Sequence, residues 1–246
     1  VARPTFLNID LTAIQSNVAL ARSRAPQSKL LACVKADAYG HGIVQVAMSI
    51  APDVDAFGVA NIEEALLLRQ AGIATPILLL EGVFQADELE VVVANDLWIC
   101  IHAQHQIEML EKLDADSPLN VWLKMDTGMH RLGFSPSEYP RAFKRLLNIN
   151  AVASIVHMTH FACSDEVSNG YTSKQLAEFT AAIDDLPGER SIANSAAILS
   201  REDTHLDWIR PGFMLYGASP FVEDTSRDYG LRPAMQFLSE VIAIRE

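Results

Sequence analysis

The sequence predicts an α/β fold, a closed (β/α)8 barrel of the TIM type. Three observations carry that expectation. Eight short apolar runs alternate with amphipathic helical segments over about 200 residues. The runs are almost continuously apolar, which marks a parallel sheet covered on both faces. The GxGxxG turn that usually follows the first strand of an open doubly wound sheet is absent.

The elements follow in order. Asp10 precedes LTAIQSNVALARSRA, where Leu11, Ile14, Val18 and Ala21 recur at helical spacing behind an acidic N-cap. KLLACVKAD (29–37) is the first strand, followed by a helix from about Gly42 to Ala51. DAFGVAN (55–61) leads into IEEALLLRQAG, a helix with Gly72 at its stop. PILLLEG (76–82) precedes QADELEVVVAN, and LWICIH (97–102) precedes AQHQIEMLEKL. NVWLKMD (120–126) precedes SEYPRAFKRLLN after a loop, and AVASIVHMTHF (151–161) precedes SKQLAEFTAAIDDL after a polar loop. RSIANS (190–195) opens AAILSRE, and DWIRPG (207–212) is the eighth strand. FLSEVIAIRE (237–246) then alternates apolar positions. It reads as the first strand of a second, β-rich domain that is otherwise missing. The expected division is therefore a barrel over 1–236 and the start of a truncated β-domain over 237–246, with segment 3–9 pairing with that domain.

Composition bounds the function. Half of the 246 residues are hydrophobic and 20% are charged, an ordinary globular balance with enough apolar mass for one large core. The net charge of −12 argues against nucleic-acid and anionic-membrane partners, but not against a small anion held by local cations. No apolar run approaches the roughly 20 residues needed to span a bilayer, and no basic segment followed by an apolar one opens the chain. A cytoplasmic location is expected. Cys33, Cys100 and Cys163 are odd in number and widely spaced, so reduced thiols are expected rather than a disulfide framework or a zinc site.

A barrel carries its chemistry at the C-terminal ends of its strands. The polar residues there are Lys35, Asp37 and Tyr39, then Lys124 and Asp126 with His130 and Arg131 in the next loop. His157 and His160, Asn194 and Ser195, and Arg210, Pro211 and Gly212 complete the set. A lysine desolvated in an apolar strand, as CVKAD suggests for Lys35, is a nucleophile toward carbonyls. Such lysines serve both pyridoxal 5′-phosphate (PLP) enzymes and cofactor-free aldolases; a lysine snorkelling from a strand end is the plain alternative. Asn194-Ser195 at a helix start and Gly212-Phe213 after the eighth strand suit a phosphate, although Ser195 could be a simple N-cap. Arg210 suits the pyridine nitrogen of PLP, because a guanidinium cannot take up a proton; a surface salt bridge is its alternative. HxxH at His157 and His160, with Asp37 and Asp126 nearby, is not the HExxH pattern, so no metal is expected. His130 reads as an ordinary loop histidine.

Several segments resemble one known family. VKADAYGHG (34–42) is similar to the PLP-lysine signature of alanine racemases, which are fold-type III PLP enzymes. VWLKMDTGMHRLGF (121–134), MTHFACSDE (158–166), ANSAA (193–197) and IRPGFMLYGASP (209–220) resemble the family's later motifs in order and spacing. The resemblance implies PLP bound as a Schiff base on Lys35, which also acts as one of two acid–base groups. It implies that Tyr39, Ser195 and the backbone of Gly212 and Phe213 hold the phosphate, and that Arg210 faces the pyridine nitrogen with support from His160. Asn194 would lie near the cofactor, and Arg131 would hold the cofactor's phenolic oxygen and the substrate carboxylate. Lys124 matches a lysine that is often carbamylated. The implied activity is interconversion of L- and D-alanine, for peptidoglycan or for catabolism, in a homodimer. The family's second base is a tyrosine from the C-terminal β-domain acting across the dimer interface, and no residue of this chain matches it. A racemase for another amino acid, a PLP decarboxylase, or a PLP-binding module without turnover are the alternatives.

Overall fold

The computed structural model describes residues 4–113 and 118–245. Residue 3 of the segment 3–9 and residue 246 of the tail lie outside them.

Each of the eight apolar runs supplies one strand, after a first strand β1 (Thr5–Ile9). The eight are β2 (Lys29–Cys33), β3 (Ala56–Val59), β4 (Ile77–Leu79), β5 (Leu97–Ile101), β6 (Leu119–Lys124), β7 (Val152–Met158), β8 (Glu189–Ser191) and β9 (Trp208–Ile209). They pair in sequence order, all parallel, and β9 returns to β2 to close the barrel. The closure is thin. β9 pairs with β8 at Ser191↔Trp208 and with β2 at Lys29↔Trp208 and Leu30↔Ile209. Loop bonds extend it: Cys33 N donates to Pro211 O (2.9 Å) and Arg210 N to Ala193 O (3.0 Å).

Helices between the strands cover the outside of the barrel. The helix Leu11–Arg24 starts where Asp10 Oδ1 accepts from Ala13 N at 3.0 Å, as the acidic N-cap predicts. Ile62–Gln70 stops before Gly72, whose φ of +83° takes the left-handed conformation of a helix end. Outward strand residues such as Leu30, Ala32, Phe57, Ile99 and Leu123 pack against Ile14, Val18, Val46 and Leu68 of the helices. Inward residues fill the barrel: Leu31, Ala56, Leu78, Cys100, Trp122, Met158 and Trp208. With both faces buried, neither needs polar residues, which is why the runs do not alternate.

The side-chain period of two gives the interior its polarity. Trp98, Trp122 and Trp208 form its floor, with ring centroids 5.3–6.5 Å apart. Two residues further along β6 and past the end of β9, Lys124 and Arg210 continue the same inward columns. The interior thus changes from aromatic to cationic in one pleat.

The tail differs from the strand expected over 237–246. β10 (Met235–Ser239) begins earlier, and no regular structure follows it through residue 245. β10 pairs antiparallel with β1 as a two-stranded sheet apart from the barrel, with Phe6, Leu7, Phe237 and Leu238 exposed. Among the described residues no helix is long and apolar enough to cross a membrane.

The Trp122 side chain is fully buried, and its Nε1 has no hydrogen-bond partner among the described residues. Trp122→Ala should therefore cost roughly 3–5 kcal/mol of stability in a urea titration. Trp122→Phe should cost much less, because it keeps most of the ring volume and removes an unsatisfied N–H.

Candidate active site

The strand ends enclose one cavity of about 460 Å3 at the mouth of the barrel. All ten residues to which the resemblance gives a role line it: Lys35, Tyr39, Lys124, Arg131, His160, Asn194, Ser195, Arg210, Gly212 and Phe213; Asp37, Asp126, His130, His157 and Pro211 do not. Cys33, Glu81, Ser164 and Asp165 join the ten. The sequence alone assigns none of these four a role at the site, although Ser164 and Asp165 lie within the 158–166 motif, and the closed barrel brings them to the mouth.

Lys35 is not in the strand. β2 ends at Cys33, and Lys35 is half-buried at the head of a helical turn, Lys35–Gly40. That turn is left-handed: Ala36, Asp37, Ala38 and Tyr39 have φ of 53–54°. This conformation costs roughly 1–2 kcal/mol for each non-glycine residue, so the four together cost on the order of 5 kcal/mol. Hydrogen bonds offset it. Ala38 N donates to Val34 O (2.8 Å) and Gly42 N to Asp37 O (3.0 Å). Asp37 Oδ1 accepts from Ile43 N (2.8 Å), which caps the helix Ile43–Ile50. The turn brings the Tyr39 ring to 4.8 Å from the Tyr216 ring, and Tyr216 Oη donates to Cys33 O (2.9 Å).

Arg210 is buried, not in a surface salt bridge. Nη1 donates to Ser191 Oγ (2.6 Å) and Nη2 to Thr159 O (2.7 Å). Burial pulls the guanidinium down to about 10, which leaves it charged at neutral pH. His160 Nδ1 lies 3.4 Å from Nη2 and accepts from it. Deep placement first, and the Arg210 cation second, hold His160 well below its ordinary value, so its ring is neutral. The His160 loop hangs on a residue without any sequence signal. Gln175 Nε2 donates to His160 O (3.2 Å) and to Thr127 Oγ1 (3.1 Å), and Thr127 pairs with Thr159 (2.9 Å).

His157 does not join His160. It lies on the outward face of β7, with Nδ1 2.8 Å from Tyr139 Oη and Nε2 3.2 Å from Pro187 O. Among the described residues no three His, Cys, Asp or Glu side chains cluster as metal ligands. His130 sits with φ +56° in the loop before Arg131, where Asp126 Oδ1 accepts from Gly128 N (2.9 Å) and His130 N (3.0 Å).

The N-cap at the end of β8 is Asn194, not Ser195: Asn194 Oδ1 accepts from Ala197 N (3.1 Å). The helix Ser195–Ser200 has only six residues, so discrete donors matter more than its dipole. Ser195 Oγ accepts from Gly212 N (3.0 Å) and Met214 N (3.2 Å), which leaves its own proton to donate. At Gly212 a Cβ would stand 2.7 Å from Tyr39 Oη and 3.4 Å from Cys33 Cβ. The missing side chain keeps a cradle open between the Ser195 and Tyr39 hydroxyls. A phosphate dianion fits such a cradle, and the cavity volume suits a ligand of PLP's size.

Lys124 is buried, with no carboxylate in salt-bridge contact among the described residues. Burial lowers its pKa, and the Arg131, Arg210 and Lys35 cations add to that against an opposing pull from Cys100. Burial keeps the Cys33 thiol neutral and pushes Cys100 up to about 11. Arg131 is exposed at the rim.

Residues 9–220 match the family model described as alanine racemase, N-terminal domain. The chain belongs to the alanine racemase family. It is 47% identical over 239 residues to an alanine racemase of Aliivibrio salmonicida, covering 97% of this chain and 66% of that protein. It is 49% identical over 244 residues to the catabolic alanine racemase of Pseudomonas aeruginosa, covering 99% of this chain and 68% of that one. The crystal structure of the biosynthetic alanine racemase from the same organism superposes with a TM-score of 0.93 at 43% identity, covering 96% of this chain and 66% of that one. The chain spans about two thirds of the length of the relatives it matches. Alanine racemases are PLP-dependent, so the cradle and the cations around it meet the cofactor that the family uses.

His160, like His102 and His157, is held below 6.5 chiefly by burial. The unfolded chain then binds more protons than the folded one below about pH 6.5, and stability falls as pH drops through that window. His160→Asn should flatten the fall between about pH 7 and pH 5, measured as urea midpoints for wild type and variant. An unchanged slope would show that His160 is not neutralised in the fold.

Proposed function

We propose that this chain is the cofactor-binding barrel of an alanine racemase, holding PLP on Lys35 and interconverting L- and D-alanine. One observation carries the reading. In a chain of net charge −12, one cavity gathers the four basic side chains Lys35, Lys124, Arg131 and Arg210 together with a phosphate-sized cradle.

PLP, when bound, supplies an electrophilic carbon and an electron-withdrawing ring that acidifies the α-C–H of an amino acid. The protein does the rest. The Ser195 hydroxyl, the Tyr39 hydroxyl and the backbone of Gly212 and Phe213 take the phosphate, and Asn194 borders the cofactor. Arg210 has only donors to offer the pyridine nitrogen, and neutral His160 gives it no proton to pass on. Arg210 and His160 would thus give the pyridine nitrogen no proton, which would favour rapid return of the α-proton over side reactions. Lys35 Nζ takes or returns that proton on one face. Arg131 holds the substrate carboxylate at the rim.

Racemisation needs a second acid–base group on the other face. In this reading it is a tyrosine of a β-rich domain, supplied across a homodimer interface. The barrel domain then gives way to the opening of the β-rich one at β10, which starts at Met235 rather than at residue 237. The separate β1–β10 sheet, with its exposed Phe6, Leu7, Phe237 and Leu238, supports a β-rich unit beside the barrel to which the N-terminal strand also belongs. Such an enzyme works in the cytoplasm, to supply D-alanine for peptidoglycan or to degrade it.

Borohydride reduction of the PLP-loaded protein should leave one adduct, which peptide mapping places on Lys35. In the protein at the full length of its relatives, Lys35→Ala should lower alanine racemisation by at least about 10²–10⁴-fold. An adduct on Lys29, Lys124 or another lysine would overturn the assignment.

Lys124 is read as a carbamate. A buried amine ringed by cations has a raised neutral fraction; its Nζ lone pair adds to carbon dioxide and the N–H proton leaves to solvent. The resulting anion would face Arg131 and hold it in place. Protein equilibrated with 13C-labelled bicarbonate should show one protected carbamate resonance that Lys124→Ala removes; its absence from wild type would refute the modification.

A further inference from the structure

Glu64 lies in the first turn of the helix Ile62–Gln70 and is not among the residues lining the cavity. Both of its carboxylate oxygens are nevertheless spent on the backbone beside the cavity. Oε1 accepts from Ala36 N (2.6 Å) and more distantly from Asp37 N (3.4 Å), while Oε2 accepts from Ala60 N (2.8 Å). Asn61 Oδ1 accepts from Glu64 N (3.1 Å), which fixes where the carboxylate stands.

The position of these bonds gives them their meaning. The β2–β3 ladder runs through Cys33↔Gly58 and ends with Val34 N donating to Gly58 O at 2.9 Å. Beyond it the chains part. β2 enters the left-handed turn and β3 turns toward its helix, so no strand carbonyl remains for Ala36 N–H or Ala60 N–H. The Glu64 carboxylate replaces it for both. Lys35 is thus held on either side, by the last ladder bond at Val34 and by the carboxylate at Ala36.

We infer that Glu64 is the positioning residue of the Schiff-base lysine: its carboxylate clamps the entrance of the left-handed turn to the end of β3 and so aims Lys35 into the cavity. Charge-assisted bonds to backbone N–H groups are the strong kind, and they act at the first of the four left-handed residues. This inference rests on the reading of Lys35 as the PLP lysine.

The test compares wild type, Glu64→Ala and Glu64→Gln with Leu146→Ala, a core truncation in the distant helix Tyr139–Leu147. The variants are matched for folding by circular dichroism and for loss of Tm. Two quantities are measured: the rate at which added PLP becomes borohydride-trapped on Lys35, and amide exchange at Ala36 and Ala60 in protein without PLP. Glu64→Ala should trap PLP about 10- to 100-fold more slowly, since small misplacement of a reacting group costs rates of that order. Exchange at Ala36 and Ala60 should rise. Glu64→Gln should fall between, because the amide oxygen can still accept on one side while its NH2 group faces the other N–H. Leu146→Ala should trap at the wild-type rate. Wild-type trapping in Glu64→Ala, or equal loss in Leu146→Ala, overturns the inference. If wild type itself traps nothing on Lys35, the functional reading fails, and amide exchange still reports whether Glu64 holds the turn.

Discussion

The site depends on how the barrel closes. β9 is two residues long, yet it joins β8 to β2, and the Pro211 and Ala193 carbonyls extend the seam past the strand ends. Across that seam Lys35, Ser195, Arg210 and Gly212 meet, although they lie as much as 177 residues apart in the chain. Opening the sheet between β9 and β2 would separate Lys35 from Arg210 and from the cradle at Ser195 and Gly212 together. The aromatic floor of Trp98, Trp122 and Trp208 fills the barrel beneath this seam, where voids would be costly.

Charge is concentrated against the average of the molecule. An acidic chain places four basic side chains around one cavity and gives the innermost, Arg210, a hydroxyl and carbonyl oxygens instead of a carboxylate. Burial of unpaired cations is expensive. The same burial keeps His160 and the two interior thiols neutral, so these three add no charge to the cavity. An anionic ligand would relieve the repulsion among the basic side chains.

Much of this was legible in the sequence. The eight apolar runs reported their strands because burial on both faces leaves a chemical trace in every residue. The ten site residues could be named because barrel topology sends every strand end to one mouth, and because the motifs around Lys35, Lys124, Ser195 and Arg210 carry a family resemblance. Less could be read where a residue acts through a distant segment. Ser191, Gln175 and Glu64 look like ordinary strand and helix residues, and their partners are 19, 15 and 28 positions away. The HxxH spacing misleads for a related reason: β7 ends at Met158, so His157 obeys the strand period and faces outward while His160 follows the loop into the mouth.

The sequence by itself determined the fold class, the strand order and most of the polar side chains that reach the barrel mouth, because periodicity and strand-end position are local properties. Tertiary structure alone decided how those side chains are presented. Nothing in KADAYG specifies a left-handed turn; three of its four left-handed residues are alanine or tyrosine, which disfavour that conformation. The turn exists because Glu64, Val34, Ile43 and Tyr216 hold it from outside. In isolation the segment would relax to a right-handed or extended form, and Lys35 would point elsewhere.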